Sequence, residues 1–160
     1  MTRALILVVA LALGCTAWFG IEAASLSPGD NAALVDVSAT SDVSSQVSDA
    51  VKAVFSYDYA NLARTERAAS EVLTGDAVRQ YQTQFASARP RATAEKLIRT
   101  TTVRAIGVRS LRGDSADLLL FLDQQTVAQG GGAPTSSVAQ LAVTAKRVDG
   151  RWKLATLTAL

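Results

Sequence analysis

The sequence predicts an α+β domain carried behind a single N-terminal membrane span, and three observations predict it. "ALILVVALALGCTAWFGI" (Ala4 to Ile21) contains no charge at all. From about residue 41 to residue 90, apolar residues recur at helical spacing in three blocks separated by turn-forming residues. From Ala94 onward, β-branched residues, alternation and two-residue turn signals replace that period. Helices collected ahead of a run of strands imply helices packed on one face of an antiparallel sheet. The expected boundaries are a span over 1–24, a juxtamembrane linker over 25–40 and the α+β domain over 41–160.

The apolar run is long enough to matter. Eighteen helical residues reach roughly 27 Å, close to the hydrocarbon thickness of a bilayer. Arg3 flanks it on one side and Glu22 and Asp30 on the other, while Trp18 and Phe19 stand near its far end. The positive-inside rule then keeps the short N-terminus in the cytoplasm and sends the rest of the chain across the plasma membrane. Two other readings stay open. "EAAS" (Glu22 to Ser25) is a weak cleavage site for a signal peptide. "LALGC" places a glycine before Cys15, as a lipidation signal does, although Ala12 and Leu13 stand in the reverse of the usual order.

Each element of the domain has its own signal. Val43, Val47, Ala50, Val51 and Val54 share one helical face, with Ser41 or Asp42 as the expected N-cap. The pattern lapses over Ser56 to Asn61, then resumes with Leu62, Ala69, Val72 and Leu73. "TGD" (Thr74 to Asp76) punctuates, and a third helix carries Val78, Tyr81, Phe85 and Ala88 until Pro90 ends it. About four strands follow. "GD" at Gly113–Asp114 and "DG" at Asp149–Gly150 mark tight hairpins. Leu118, Leu120 and Leu122 line one face of a strand whose other face holds Leu119 and Phe121, which predicts a central strand covered on both sides for part of its length. Leu141, Val143 and Ala145 point inward from the next, and Trp152 and Leu154 share a face of the last.

Composition excludes several chemistries. The chain has no histidine, and Cys15 is its one cysteine. Ser-His-Asp and Cys-His catalysis, imidazole or thiolate metal sites and disulfides are therefore absent from the domain. Lys+Arg number 16 against 14 Asp+Glu, a balance with no footprint for nucleic acid. "GGGAP" (Gly130 to Pro134) joins two strands without the lysine and helix of a phosphate-binding loop.

Within this frame the wording of the sequence resembles a known family. "ALVDVSAT", "VFSYDYANL", "LTGDAVRQYQTQF", "VRSLRGDSADLLLFLDQ" and "KRVDGRWKL" follow the single span in order. They are similar to the actinobacterial Mce-associated membrane proteins, which have an NTF2-like (cystatin-like) domain. The resemblance implies a cone of helices on a bent sheet. It also implies a non-enzymatic accessory subunit of an Mce-type importer of sterols or fatty acids, partnered by Mce subunits or other Mce-associated proteins. It brings no catalytic residue, cofactor or metal. The same anchor-plus-cone plan belongs to periplasmic assembly subunits of type IV secretion systems, which form the alternative.

The candidate sites lie in and beyond "SYDY". Asp58 at a helix exit fixes the turn by accepting local backbone amides, while Tyr57 and Tyr59 point to different sides, one inward and one toward solvent or a partner. The rival reading makes Asp58 the general base of a small lyase or isomerase, which requires an apolar pocket enclosing it. Asp117 and Asp123 stand roughly 20 Å apart along one strand and cannot act together. Arg89 and Arg91, with Lys96 and Arg99, gather near the helix-to-strand junction and suit an acidic partner or anionic headgroups. Tyr57, Asp58, Tyr59, Arg89 and Arg91 are the expected partner-binding residues.

Overall fold

A carboxylate opens the helical layer. Asp36 Oδ1 accepts from the Ala39 amide and the Ser38 hydroxyl, both at 2.9 Å. These bonds hold the Asp36 carboxyl below its ordinary pKa, and they start the first helix, α1 (Val37–Phe55), ahead of the expected caps Ser41 and Asp42. A 3₁₀ turn over Ala32–Leu34 precedes it, tied on by the Thr40 hydroxyl to the Ala33 carbonyl at 3.0 Å. Ordered backbone thus reaches back into the stretch expected as linker. The computed structural model describes residues 31–160. The span, the cleavage and lipidation alternatives and the first part of the linker lie outside the described residues. No described helix is long and apolar enough to cross a membrane.

The α1 face is the one its spacing predicts: Val43, Val47, Ala50, Val51 and Val54 are all buried. The chain then runs through a two-residue strand β1 (Tyr57–Asp58) and a 3₁₀ turn (Tyr59–Asn61) into α2 (Leu62–Val72). Asn61 caps α2 through the Arg64 amide at 3.2 Å. Helix α3 spans Gly75–Ala94. Gly75 has φ +54, and an added Cβ would stand 3.3 Å from the Ala155 carbonyl oxygen, so glycine lets α3 begin against the sheet.

Two features of α3 correct the sequence reading. The helix continues through Pro90 to Ala94. Pro90 and Ala86 are both exposed, so the carbonyl that loses its amide donor meets water rather than a dry core. Its fully buried residues are Ala77 and Ala92; Tyr81, Phe85 and Ala88 are half-buried and Val78 is 37% exposed. The long side chains therefore roof the core while small ones make the close approach.

The sheet is an antiparallel meander, β1-β2-β3-β4-β5, with β2 (Leu97–Arg112), β3 (Ser115–Ala128), β4 (Thr135–Val148) and β5 (Arg151–Ala159). It has five strands, where about four were expected. β1 pairs Tyr57 with Arg99 and Asp58 with Ile98, and two residues are too few to carry a readable period. Asp149 and Gly150 both have positive φ, 52° and 76°, as a two-residue hairpin turn with matching twist requires. Register shifts at Val103/Ala105, Val108/Ser110 and Thr144/Ala145 curl the sheet around the helices.

The core fills the concave face. Leu118, Leu120 and Leu122 of β3, Leu141, Val143 and Ala145 of β4, and Trp152 and Leu154 of β5 are buried against α1, as the alternation predicts. Burial of each large aliphatic side chain contributes about 1.5–3 kcal/mol. The other face of β3 corrects an expectation: Leu119 is half-buried and Phe121 is 40% exposed, so no described element covers it.

Candidate functional site

The "SYDY" corner is held by hydroxyls. At the end of α1 the Thr101 hydroxyl donates to the Phe55 carbonyl at 2.9 Å, and the Thr101 amide donates to Ser56 Oγ at 3.0 Å. Thr65 of α2 donates to the Ser56 carbonyl at 3.2 Å. Thr65 and Thr101 are the buried polar residues of the described chain, and both are satisfied here. The corner thus joins α1, α2 and β2 through four residues. Sequence reasoning named none of these as functional, because a threonine in a β-branched strand carries no distinguishing mark.

Asp58 occupies the exposed rim of the corner. Its Oδ1 accepts from the Ala60 amide at 2.9 Å and caps the 3₁₀ turn, the bond expected of a carboxylate at a helix exit. The apolar enclosure that a raised-pKa base needs does not surround it. Asp58 stands exposed at the edge of an open cleft of about 480 Å³ lined by Ala53, Ala68 and Ile98 as well as Asn61, Arg64 and Arg99. The two tyrosines differ in partners, and neither is simply inward or simply outward. Both are half-buried. Tyr57 lies under the Arg99 guanidinium, 5.2 Å from ring centroid to carbon, while the Tyr59 hydroxyl donates to Gln129 Oε1 at the start of the β3–β4 loop.

The basic residues do not form one patch. Arg89 pairs with Glu66 at 2.6 Å, bridging α3 to α2, and Arg91 pairs with Glu95 at 2.9 Å. The hydrogen bond and charge of Glu95 push the Arg91 pKa further up. Lys96 turns the chain with φ 51, its carbonyl accepting from the Gln129 amide at 3.0 Å. Arg99 stands apart from these on β2. Asp117 accepts from the Thr144 hydroxyl at 2.9 Å and Asp123 pairs with Arg104 at 3.1 Å, two unrelated structural contacts.

Between α3 and the concave sheet lies a cavity of about 290 Å³, lined by Tyr57, Tyr81, Phe85, Arg99, Leu122 and Leu141 among others. A second space of about 400 Å³ between α2 and α3 shares Tyr81 and Phe85 with it. Those two rings stack at 5.1 Å and 18°, forming the partition between the spaces. The Tyr81 hydroxyl is buried and meets no hydrogen-bond partner among the described residues. Burial pushes its pKa up to about 12, with the Glu66 charge adding and Arg89 opposing. No group of three or more metal-ligating side chains occurs among the described residues.

No family model matches the chain. The described domain is similar in structure to an IcmL-like type IV secretion system protein from Legionella pneumophila (TM-score 0.65, 9% identity, 77% of this chain and 91% of that one). CagV, a VirB8 homolog from the Helicobacter pylori type IV secretion system, superposes with TM-score 0.63 at 13% identity, over 74% and 96% of the two chains. The VirB8 protein of Agrobacterium tumefaciens gives 0.60 at 12% identity, over 75% and 90%. These establish the fold as NTF2-like, of the VirB8 form. In sequence the chain is 30% identical over 156 residues to uncharacterized proteins Rv1362c and MT1407 from two strains of Mycobacterium tuberculosis, covering 96% of this chain and 68% of theirs. The chain belongs to the family of these uncharacterized mycobacterial proteins.

Proposed function

We propose that the domain is a non-enzymatic assembly module of a transport complex in the cell envelope. Its N-terminal apolar segment serves as a retained plasma-membrane anchor and its α+β domain lies on the extracytoplasmic side. The observation that carries this reading is the VirB8-like cone, shared over about three quarters of the chain with subunits of secretion machines. The geometry at Asp58 supports it, since the best-placed carboxylate is exposed and bound to its own backbone. Of the residues expected to meet a partner, Asp58, Arg89 and Arg91 are exposed. We assign them to the docking surface, with Tyr57 and Tyr59 as its half-buried support.

Two kinds of complex fit an assembly module. The structural neighbours favour a secretion-type channel. The resemblance carried by the "SYDY" and "LTGD" wording suggests the second, an Mce-type lipid importer in which the protein is an accessory subunit. Affinity purification of the full chain from native membranes separates them. Secretion-channel proteins support the first, Mce subunits or other Mce-associated proteins the second, and recovery of neither defeats the assembly reading. Charge reversal at Asp58, Arg89 and Arg91 together lowers the yield of the recovered partner if these residues dock it.

A further inference from the structure

We propose that the cavity between α3 and the sheet binds a small amphipathic monocarboxylate, its apolar body between Phe85, Leu122 and Leu141 and its carboxylate on Arg99. The inference rests on the cavity alone and is independent of which complex the protein serves.

Three observations converge on that ligand. Arg99 is half-buried and forms no ion pair with any described residue, whereas the other unpaired arginines among them, Arg64, Arg67, Arg109, Arg112 and Arg151, are exposed to water. Its Nε donates to Thr126 Oγ1 at 3.1 Å and its face lies over Tyr57. No described residue accepts from its terminal nitrogens, which carry the paired donors that match a carboxylate. A guanidinium partly withdrawn from water without a counter-ion is costly, and the Tyr57 ring returns only about 0.5–1 kcal/mol of that cost.

The second observation is the wall. Val54, Leu122, Leu141 and Leu157 come from the concave core, and Phe85 closes the helix side. Ligand sites have this character: an apolar lining with few polar groups that fix orientation. At about 290 Å³ the space lies at the lower end of such sites, which selects a small ligand. The third is the Tyr81 hydroxyl, a buried donor without a partner beside that wall. Native structures leave few such groups unexplained. One carboxylate suits the one guanidinium in the cavity lining; no second cation lines it to hold a dianion.

The test uses the full chain in lipid nanodiscs with ¹³C-labelled leucine and valine methyls, so that binding is read at Leu122, Leu141 and Val54 rather than as uptake by the bilayer. The probes are decanoate and its neutral analogue decan-1-ol. The expected result is a saturable shift of those methyls, with decanoate at least tenfold tighter than decanol. Arg99→Gln abolishes the preference, bringing the two affinities together. Ala88→Phe, which fills the cavity from α3, weakens both. Equal affinity for the two probes, absence of a saturable shift, or an unchanged preference in Arg99→Gln overturns the proposal. If Arg99→Gln does not fold, the wild-type preference and its response to Ala88→Phe decide.

Discussion

Replacing Asp58 distinguishes a structural corner from a catalytic one, because the two roles respond differently to the same pair of substitutions. In the cap role, Asp58→Ala deletes the acceptor of the Ala60 amide, a 2.9 Å bond at the start of the 3₁₀ turn. Removal of a helix cap costs about 0.5–2 kcal/mol, and an exposed site such as this belongs in the middle of that range, about 1 kcal/mol. For a chain of this length, 1 kcal/mol moves Tm by about 2–4 °C. Asp58→Asn retains an oxygen of the same reach, and asparagine caps as well as aspartate, so its melt should coincide with wild type. A general base behaves oppositely, since the amide cannot take a proton. Thermal and urea unfolding of the three proteins is the assay. If Asn destabilises as much as Ala, or if Ala unfolds like wild type, the cap argument is wrong.

The remaining predictions follow from burial and bonding. Leu120→Ala removes a side chain that is 0% exposed at the centre of the concave face, and should lower unfolding free energy by about 2–5 kcal/mol in urea titrations. Ser56→Ala leaves the buried Thr101 amide without its 3.0 Å acceptor, a loss of about 1–3 kcal/mol by the same measurement. Tyr81 has a folded pKa of about 12, above its ordinary value of 10.0. Its contribution is therefore complete below pH 10 and lost as pH rises toward 12. Tyr81→Phe should lose less stability than wild type over that alkaline window and be at least as stable at pH 7, since it deletes a buried hydroxyl that has no partner among the described residues.

Periodicity made much of the fold legible, because it reports which face is dry. Val43 through Val54, the inward leucines of β3 and β4, and the Asp149–Gly150 turn all follow from spacing or backbone chemistry. What spacing cannot express is partnership across the chain. β1 exists because the chain leaving α1 runs beside Arg99 and Ile98, 40 residues or more downstream. Pro90 stops most helices, yet it is tolerated where its orphaned carbonyl reaches water. The basic residues near the helix-to-strand junction looked like one patch in sequence. Glu66 and Glu95 neutralise Arg89 and Arg91, and only Arg99 is left beside the cavity without a carboxylate. A charge count along the chain cannot show which guanidinium is left over.

The sheet edges bear on how such a domain meets its partners. An open edge offers backbone donors and acceptors to any strand, including one from a second copy. Here groups from the helices and from the residues that flank them occupy part of both edges. On β5, the Trp152 and Leu157 amides donate to Gln46 Oε1 and Gln80 Oε1, each at 2.9 Å, and the Leu154 carbonyl accepts from the Thr74 amide at 2.9 Å. On β2, Ser56 takes the Thr101 amide at one end and Asn31 takes the Leu111 amide at 2.8 Å at the other, with β1 laid across Ile98 and Arg99. Addition of a foreign strand along β5 has to displace satisfied bonds, so indiscriminate pairing is disfavoured. Recognition then falls to side chains: the charged rim at Asp58, or the outer face where Phe121 is 40% and Val138 79% exposed. Side-chain recognition is sequence-specific where backbone pairing is not. A module whose edges are occupied can in this way select a defined neighbour without polymerising.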